Sequence, residues 1–179
     1  SSAVSTECLV SVLAEDLNRL SMNEKTEEVL VSRLKQIQYI QVYDVFDLFA
    51  ALDMLMMQWS SKGQASKLVI VDNVASVMYP IMGGNIGLSQ GLLSQIGIKL
   101  KQLAVEFSLA VLITNSMTSS YKGSEKKPAL GKAWSHVPHT RMTISRFADP
   151  QSQDHSLRNV LLIKSARQQT PSQTVVCLK

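Results

Sequence analysis

The sequence predicts an α/β fold, with a mostly parallel sheet flanked by helices and a strand-rich C-terminal part. Residues 68–71 and 109–113 are continuous apolar segments without alternation, which is typical of strands buried on both faces of a parallel sheet. Helical periodicity occupies residues 45–59 and 85–107, on either side of the first of these strands. Alternation of strand and helix through two thirds of the chain therefore indicates the α/β class.

The N-terminal third predicts helix, helix, strand and helix. Apolar residues at helical spacing predict a first helix over residues 9–20 and a short one through Leu30 and Leu34. Residues 37–43 alternate as a strand does, and residues 45–59 are helical again. The last of these helices carries a Met-rich apolar stripe that we expect in the core: Phe46, Phe49, Ala50, Met54 and Met57.

The remaining elements follow the first buried strand. A long helix is predicted over residues 85–107, because apolar residues recur there every three or four positions. The second buried strand ends on the polar pair Thr114 and Asn115. Residues 140–147, 159–164 and 174–178 predict three more strands, with a polar turn between the first two. Strands therefore dominate the C-terminal edge.

Composition and charge narrow the class of protein. The chain has 179 residues, 45% of them hydrophobic, which suffices for one domain with a core. No apolar segment approaches the length of a membrane span, and the first residues lack the basic-then-apolar pattern that a secretory signal would show. Cys8 and Cys177 are expected to be reduced core residues of an intracellular protein. Residues 61–179 are strongly basic, which indicates either a solvated basic face or a surface for a polyanion.

Asp72 is the first candidate site residue. It ends the first buried strand, and ligands of open α/β sheets bind at that edge, so its carboxylate could hold the hydrated magnesium ion of a nucleotide. The alternative is a buried strand that stops at an Asp in a turn. The phosphate-binding pattern G-x-x-x-x-G-K-[ST] does not occur in the 179 residues. We therefore expect the chain to be a fragment of a longer protein.

Three connections are expected to leave the carboxyl edge of the sheet. The first is the Gly-rich segment 79–87. The second, residues 116–134, combines lysines with aromatic residues, which suits single-stranded nucleic acid, although an ordinary exposed loop has the same composition. The third holds Lys164 and Arg167, which either reach a phosphate on a neighbouring subunit or form a surface pair. His136 and His139 have no third ligand nearby, and no hydrolase triad is present.

Several segments resemble the RecA-like recombinase ATPases. Residues 68–76 resemble their Walker B strand, and residues 110–115 resemble the next core strand. Residues 127–141, KPALGKAWSHVPHTR, are far more specific and resemble the D-type branch of the eukaryotic RecA-type recombinase paralogues. The segments 43–47 and 80–84 fit that branch as well.

The resemblance implies a partial RecA-like ATPase core over residues 1–179, truncated at its N-terminus. The Walker B strand would cover residues 67–72, a first DNA-binding loop about 79–91 and a second about 116–134. The implied function is that of a nuclear accessory protein in homologous recombination, which binds single-stranded or branched DNA within a hetero-oligomer of paralogues. The full-length protein would bind ATP and magnesium, and would be a weak DNA-dependent ATPase. The alternative is a nucleotide-independent interaction scaffold for partner paralogues.

The resemblance also assigns site residues. Asp72 would hold magnesium through water, and the residues implied at the nucleotide are Asp72, Asn115, Lys164 and Arg167. The residues implied at DNA are Tyr121, Lys122, Lys126, Lys127, Lys132, Trp134 and Arg141. Ser116 departs from the family pattern, because filament-forming recombinases have a nucleotide-sensing Gln there. That departure weakens the case for coupled ATP hydrolysis.

Overall fold

A computed structural model describes residues 10–15, 26–63, 66–84, 86–119, 126–147 and 156–177. These residues form two compact units. One comprises the described residues of 1–64 together with 76–80, and the other those of 65–75 and 81–179. Among the helices in these ranges, none has the length and hydrophobicity that a membrane span requires.

The first unit is built from helices. Residues 10–15 are helical, α1 spans Thr26–Leu34 and α2 spans Val45–Lys62. Asp44 caps α2, because its Oδ1 accepts hydrogen bonds from the backbone N–H groups of Phe46 and Asp47 at 2.8 and 2.9 Å. Gly63 ends the helix at φ +62°, a left-handed conformation that favours glycine. The predicted helix therefore has clear start and stop signals.

Helix α2 is apolar on two opposite faces, and the structure buries only one of them. The buried face consists of Val45, Leu48, Leu52, Leu55 and Trp59. Phe46, Met54 and Met57 remain 62%, 46% and 74% exposed. The expectation that the Met-rich stripe belongs to the core is therefore wrong. Helical periodicity identifies an apolar face, but it cannot choose between two such faces on one helix.

The predicted strand over residues 37–43 is also wrong. The segment is not part of a strand, and no strand among the described residues pairs with it. Its alternating side chains Ile37, Tyr39 and Tyr43 are exposed by 45%, 60% and 73%. A strand needs a hydrogen-bonded neighbour, which the alternation of side chains alone does not supply.

The second unit contains a parallel pair of strands. Strand β1 spans Leu68–Val71 and pairs in parallel with β2, Ala110–Ile113, in a register that aligns Val71 with Ile113. Helix α3, Val74–Met82, follows β1 and has residues in both units. Helix α4, Ile86–Glu106, contacts β2 and buries Leu93, Ile96, Gly97, Leu100 and Leu103. The predicted long helix and the two predicted strands are confirmed.

The two strands are not buried on both faces, contrary to expectation. Val71 is 8% exposed, whereas Leu68, Ile70 and Leu112 are 48%, 58% and 48% exposed. The described sheet has two strands, and its Leu68 and Ile70 side lacks a covering layer. A continuous apolar strand predicts burial only where other elements cover both of its sides.

The rest of the second unit is rich in strands, as predicted. Strands β3, Met117–Ser119, and β4, Lys126–Pro128, form an antiparallel pair, followed by the short helix α5, Gly131–Ser135. Strands β5, Arg141–Arg146, β6, Leu157–Lys164, and β7, Ser172–Cys177, form an antiparallel sheet in that order. The described strands thus form three small sheets, although the α/β class is confirmed.

Cys177 does not lie in the core. Its side chain is exposed at the end of β7, with Sγ 2.9 Å from Ser156 Oγ. The expectation that it is a core cysteine is therefore wrong, because β7 is an edge strand whose residues are all exposed. Cys8 lies outside the described residues.

Candidate functional site

The carboxyl ends of β1 and β2 bring Asp72 and Thr114 together. The ladder continues past the strands, since Thr114 N–H donates to Val71 O at 3.1 Å. The Thr114 hydroxyl donates to Asp72 Oδ1 at 2.5 Å, and both side chains are exposed. The peptide bond between Asp72 and Asn73 is cis. Parallel pairing thus fixes one carboxylate at the predicted edge.

Asn115 adds an unusual acceptor beside this pair. Its Oδ1 is buried and accepts no hydrogen bond from the residues that the structure describes. Buried acceptors are normally satisfied, so this atom suits a donor from outside the residues that the structure describes. We call Asp72, Thr114 and Asn115 the oxygen cluster.

The oxygen cluster fits a hydrated magnesium ion. Magnesium prefers oxygen ligands, and proteins usually hold it with one or two carboxylates while waters and substrate phosphates complete its shell. The described residues contain no group of three or more His, Cys, Asp or Glu side chains able to enclose a metal. A single carboxylate at this edge is the donor set expected where waters and substrate phosphates complete the magnesium shell. The role of Asp72 at such an ion stays a prediction.

The described residues of the predicted second DNA loop form a short antiparallel strand pair followed by helix α5. Strands β3 and β4 pair Thr118 with Lys127, and the Thr118 hydroxyl donates to Lys127 O at 3.1 Å. Lys126 and Lys127 are exposed on β4. Tyr121 and Lys122 lie outside the described residues, so their DNA-binding role stays a prediction.

Helix α5 carries two residues that were expected to contact DNA, and they differ in solvent exposure. Lys132 is exposed, whereas Trp134 is only 3% exposed. A base needs access to a ring face in order to stack on it. The structure therefore corrects the role of Trp134, whose indole belongs to the core.

The turn after α5 packs closely on α4. A Cβ atom added at Gly97 would lie 2.9 Å from Val137 Cγ1. Only a glycine lets α4 and this turn approach so closely without a shift. The position of α5 is thus tied to α4.

Lys164 is held within its own chain. Its Nζ donates to Ser135 O at 3.3 Å and to His136 O at 3.1 Å, at the C-terminal end of α5. The contact of Lys164 with a nucleotide on a neighbouring subunit stays a prediction.

Arg167 lies just beyond β6 on an exposed turn. Its N–H and that of Gln168 donate to Ser165 Oγ at 3.0 and 3.1 Å. The residue lines an open depression of about 450 Å³ together with His139, Thr140 and Ala166. The contact of Arg167 with a nucleotide likewise stays a prediction.

Like charges face each other across β5 and β6. The register pairs Arg141 with Lys164 and Arg146 with Arg158. Cations placed directly opposite each other repel, which disfavours the pairing of the strands. Arg141 was predicted at DNA, but Arg146 and Arg158 were missed. The signal that could have found them is a charge count, because residues 126–177 contain eight Lys or Arg and only two acidic residues, Asp149 and Asp154.

We call residues 126–147 and 156–177 the basic segments. They carry Lys126, Lys127, Lys132, Arg141, Arg146, Arg158, Lys164 and Arg167.

The predicted first DNA loop is mostly helical. Helix α3 ends at Met82 and α4 begins at Ile86, and the described residues between them, Gly83 and Gly84, lie outside both helices. Gly84 N–H donates to Ile81 O at 3.3 Å. The DNA-binding role of residues 79–91 stays a prediction.

Comparison with known proteins identifies relatives over most of the chain. The family model described as Rad51 matches residues 17–151. The chain is 35% identical over 167 residues to DNA repair protein RAD51 homolog 4 of Mus musculus, an alignment that covers 89% of this chain and 50% of the mouse protein. Identity to the Bos taurus protein of that name is 37% over 166 residues, covering 90% and 51%. DNA repair protein RAD51 homolog 2 of Mus musculus is 30% identical over 192 residues, covering 92% and 52%. The chain spans about half the length of these curated relatives.

Proposed function

The chain belongs to the Rad51 family, whose fold is a RecA-like α/β core, and on this premise we propose that it is an accessory protein of homologous recombination that binds single-stranded DNA. The relatives named above are DNA repair proteins. One feature of the chain itself carries the proposal, namely the charge of the basic segments.

The basic segments hold eight Lys or Arg residues and no acidic residue, and residues 148–155 between them add two, Asp149 and Asp154, so residues 126–177 carry a net charge of +6. Lys126, Lys127, Lys132, Arg146 and Arg167 are exposed, and the other three are half-buried. Cationic side chains that neutralise phosphates release condensed counterions, which supplies most of the affinity for a nucleic acid backbone. A phosphate chain is thus the ligand whose charge best matches this part of the protein.

The like-charged pair Arg146 and Arg158, on adjacent strands, strengthens this argument. Lys164, which faces Arg141, is excluded from it, because its ammonium donates to backbone carbonyls of the same chain. Like-charged pairs weaken a sheet in isolation, but a bridging anion converts the repulsion into binding free energy. Arg141, Arg146 and Arg158 therefore join the three lysines as proposed phosphate contacts. Tyr121 and Lys122 remain proposed contacts on the strength of the sequence.

The proposal for the full-length protein includes ATP and magnesium. The oxygen cluster supports it, because Asp72 offers a carboxylate and Asn115 an unsatisfied oxygen at the same edge. Asp72 would hold the ion through water, and Asn115 would face the γ-phosphate. Magnesium, when bound, would neutralise phosphate charge at this edge. Arg167 is proposed to approach the nucleotide of an adjacent subunit.

The proposed setting is a nuclear hetero-oligomer of recombinase paralogues. Two different paralogues, RAD51 homolog 2 and RAD51 homolog 4, both match most of this chain. Its likeness to more than one paralogue supports the proposal that it assembles with related chains.

A second candidate function is a nucleotide-independent scaffold for partner paralogues. The exposed apolar face of α2 favours it, since Phe46 and Met57 are 62% and 74% exposed. Met-rich faces adapt readily to partner surfaces. A folded chain that binds no DNA in the experiment below would favour the scaffold over the DNA-binding function.

The test is fluorescence anisotropy of labelled single-stranded DNA with the purified chain at several salt concentrations, with and without magnesium-ATP. Replacing Lys126, Lys127 and Lys132 by Ala should weaken binding. Because each single-strand phosphate contact contributes about 0.7 to the slope of log affinity against log salt, the slope should fall by roughly 2.

The matched control replaces Lys35, Lys62 and Lys101 by Ala. These exposed lysines lie outside the basic segments, and the change removes the same total charge. The control should retain nearly all of the salt slope. Equal losses in the two triple variants would contradict a DNA site in the basic segments and would indicate nonspecific attraction to the whole chain.

A further inference from the structure

Helix α5 is too short to be stable alone. It has five residues, its N-terminal Leu130 provides no side-chain cap, and isolated helices need roughly 12 residues or more. Contacts from the rest of the second unit must therefore hold it. Three are visible: the burial of Trp134, the packing of Val137 on Gly97 and the Lys164 ammonium.

Lys164 provides the polar part of this anchor. The carbonyls of Ser135 and His136 have no intrahelical donors at the end of α5, and cations are favourable at that end of a helix. The ammonium is fixed on β6, 28 residues further along the chain from His136. It thus connects the antiparallel sheet to the helix that carries Lys132.

We propose that Lys164 is a positioning residue, which fixes α5 and thereby the direction in which the exposed Lys132 meets DNA phosphate. This inference rests on the proposed DNA-binding function. Two of the three ammonium donors of Lys164 point at carbonyl oxygens of the same chain. Its charge therefore acts on the helix, while the charge of Lys132 acts on the ligand.

The experiment compares Lys164→Met, which removes the donors but keeps the apolar stem, with Lys164→Arg, which retains charge and donors. Lys101→Met is the matched control, because Lys101 is exposed on α4 and loses the same charge. Each variant of the full 179-residue chain is examined by amide hydrogen exchange and by anisotropy with labelled single-stranded DNA.

Lys164→Met should speed amide exchange in α5 by about tenfold, the factor that corresponds to one hydrogen bond to a charged group. It should lower DNA affinity by roughly three- to tenfold, within the range for coupled residues. In a Lys132→Gln background, Lys164→Met should lower the affinity little further. Lys164→Arg should restore both exchange and affinity, and Lys101→Met should change neither.

Additive losses would overturn the inference. If Lys164→Met lowers affinity equally in both backgrounds, reduces the salt slope by about 0.7 and leaves α5 exchange unchanged, Lys164 is itself a phosphate ligand. If the unmodified chain binds no DNA, the proposed function fails. The exchange rates then decide by themselves whether Lys164 holds α5, so the two failures are distinguishable.

Discussion

The oxygen cluster and the basic segments lie in the same compact unit but are organised in opposite ways. In the oxygen cluster a single carboxylate, Asp72, is oriented by one hydrogen bond of 2.5 Å from Thr114. In the basic segments, eight cations are spread over a hairpin, a short helix and a sheet. The first region depends on the position of individual atoms, and the second depends on summed charge.

This difference predicts how each region responds to substitution. A site that relies on one carboxylate should lose its ligand when that group is changed, because no second carboxylate among the residues at this edge replaces it. A surface of many cations should lose affinity in graded steps, one phosphate contact at a time. Substitutions in the two regions can therefore be compared directly.

The largest expected effect is on stability. Trp134→Ala removes a ring that is 3% exposed, and it should lower the free energy of unfolding by about 3–5 kcal/mol. Denaturant unfolding followed by circular dichroism measures the loss. Trp134→Phe should lose less, because it keeps most of the apolar volume. A Trp134→Ala variant that stays stable but binds DNA more weakly would contradict this prediction. It would indicate that the indole stacks on a base.

A smaller effect is expected at the oxygen cluster. In the full-length protein, Asp72→Asn should weaken magnesium-nucleotide binding by about 1–3 kcal/mol, the range for losing a charged hydrogen-bonding partner. Calorimetric titration with magnesium-ATP measures this change. In the 179-residue chain, the same substitution should leave the salt slope for DNA unchanged. Unaltered nucleotide affinity would reject the assignment of Asp72, and a reduced salt slope would show that the two regions are not independent.

The smallest effect is expected for Arg146→Glu, which should raise the stability of the chain and lower its DNA affinity. Arg146→Glu places an anion opposite Arg158, which should raise the free energy of unfolding by about 0.2–1 kcal/mol, as expected for a cross-strand ion pair. The same change should weaken DNA binding, because it replaces an attractive charge by a repulsive one. Arg146→Gln is the control. Its free energy of unfolding and its DNA affinity should both lie between those of the unmodified chain and those of Arg146→Glu. A gain in both stability and DNA affinity would remove Arg146 from the binding surface.

The sequence predicted those elements whose signal is local. The capping Asp44 and the terminal Gly63 mark the limits of α2, and the predicted long helix and the strands β1, β2, β5 and β6 are confirmed. The motif in residues 127–141 led to the correct family, since the Rad51 model matches the chain. Predictions that depended on contacts with a second helix or strand were wrong in two places. Residues 37–43 alternate like a strand yet have no described neighbour, and α2 buries the face opposite its Met-rich stripe.

The candidate site shows the same limit. Asp72 and Asn115 were found because each ends a buried strand, but Thr114 was missed because its importance depends on the register between β1 and β2. Arg146 and Arg158 were missed because 11 residues separate them in the sequence, and only the β5–β6 pairing brings them together. Trp134 was misassigned because an aromatic residue in a basic loop has the same sequence signal whether its ring is buried or exposed.

The like-charged pair Arg146 and Arg158 links the stability of the folded chain to the binding of an anion. The Cα atoms of Arg146 and Arg158 lie directly opposite each other, at a spacing of about 5 Å in an antiparallel pair, so both side chains leave the same face of the sheet. Dissolved salt only screens exposed charges, whereas a polyanion can contact both guanidinium groups at once. A ligand that binds only the folded state raises its stability by mass action. The melting temperature of this unit should thus rise with polyanion concentration far more than with an equal ionic strength of sodium chloride.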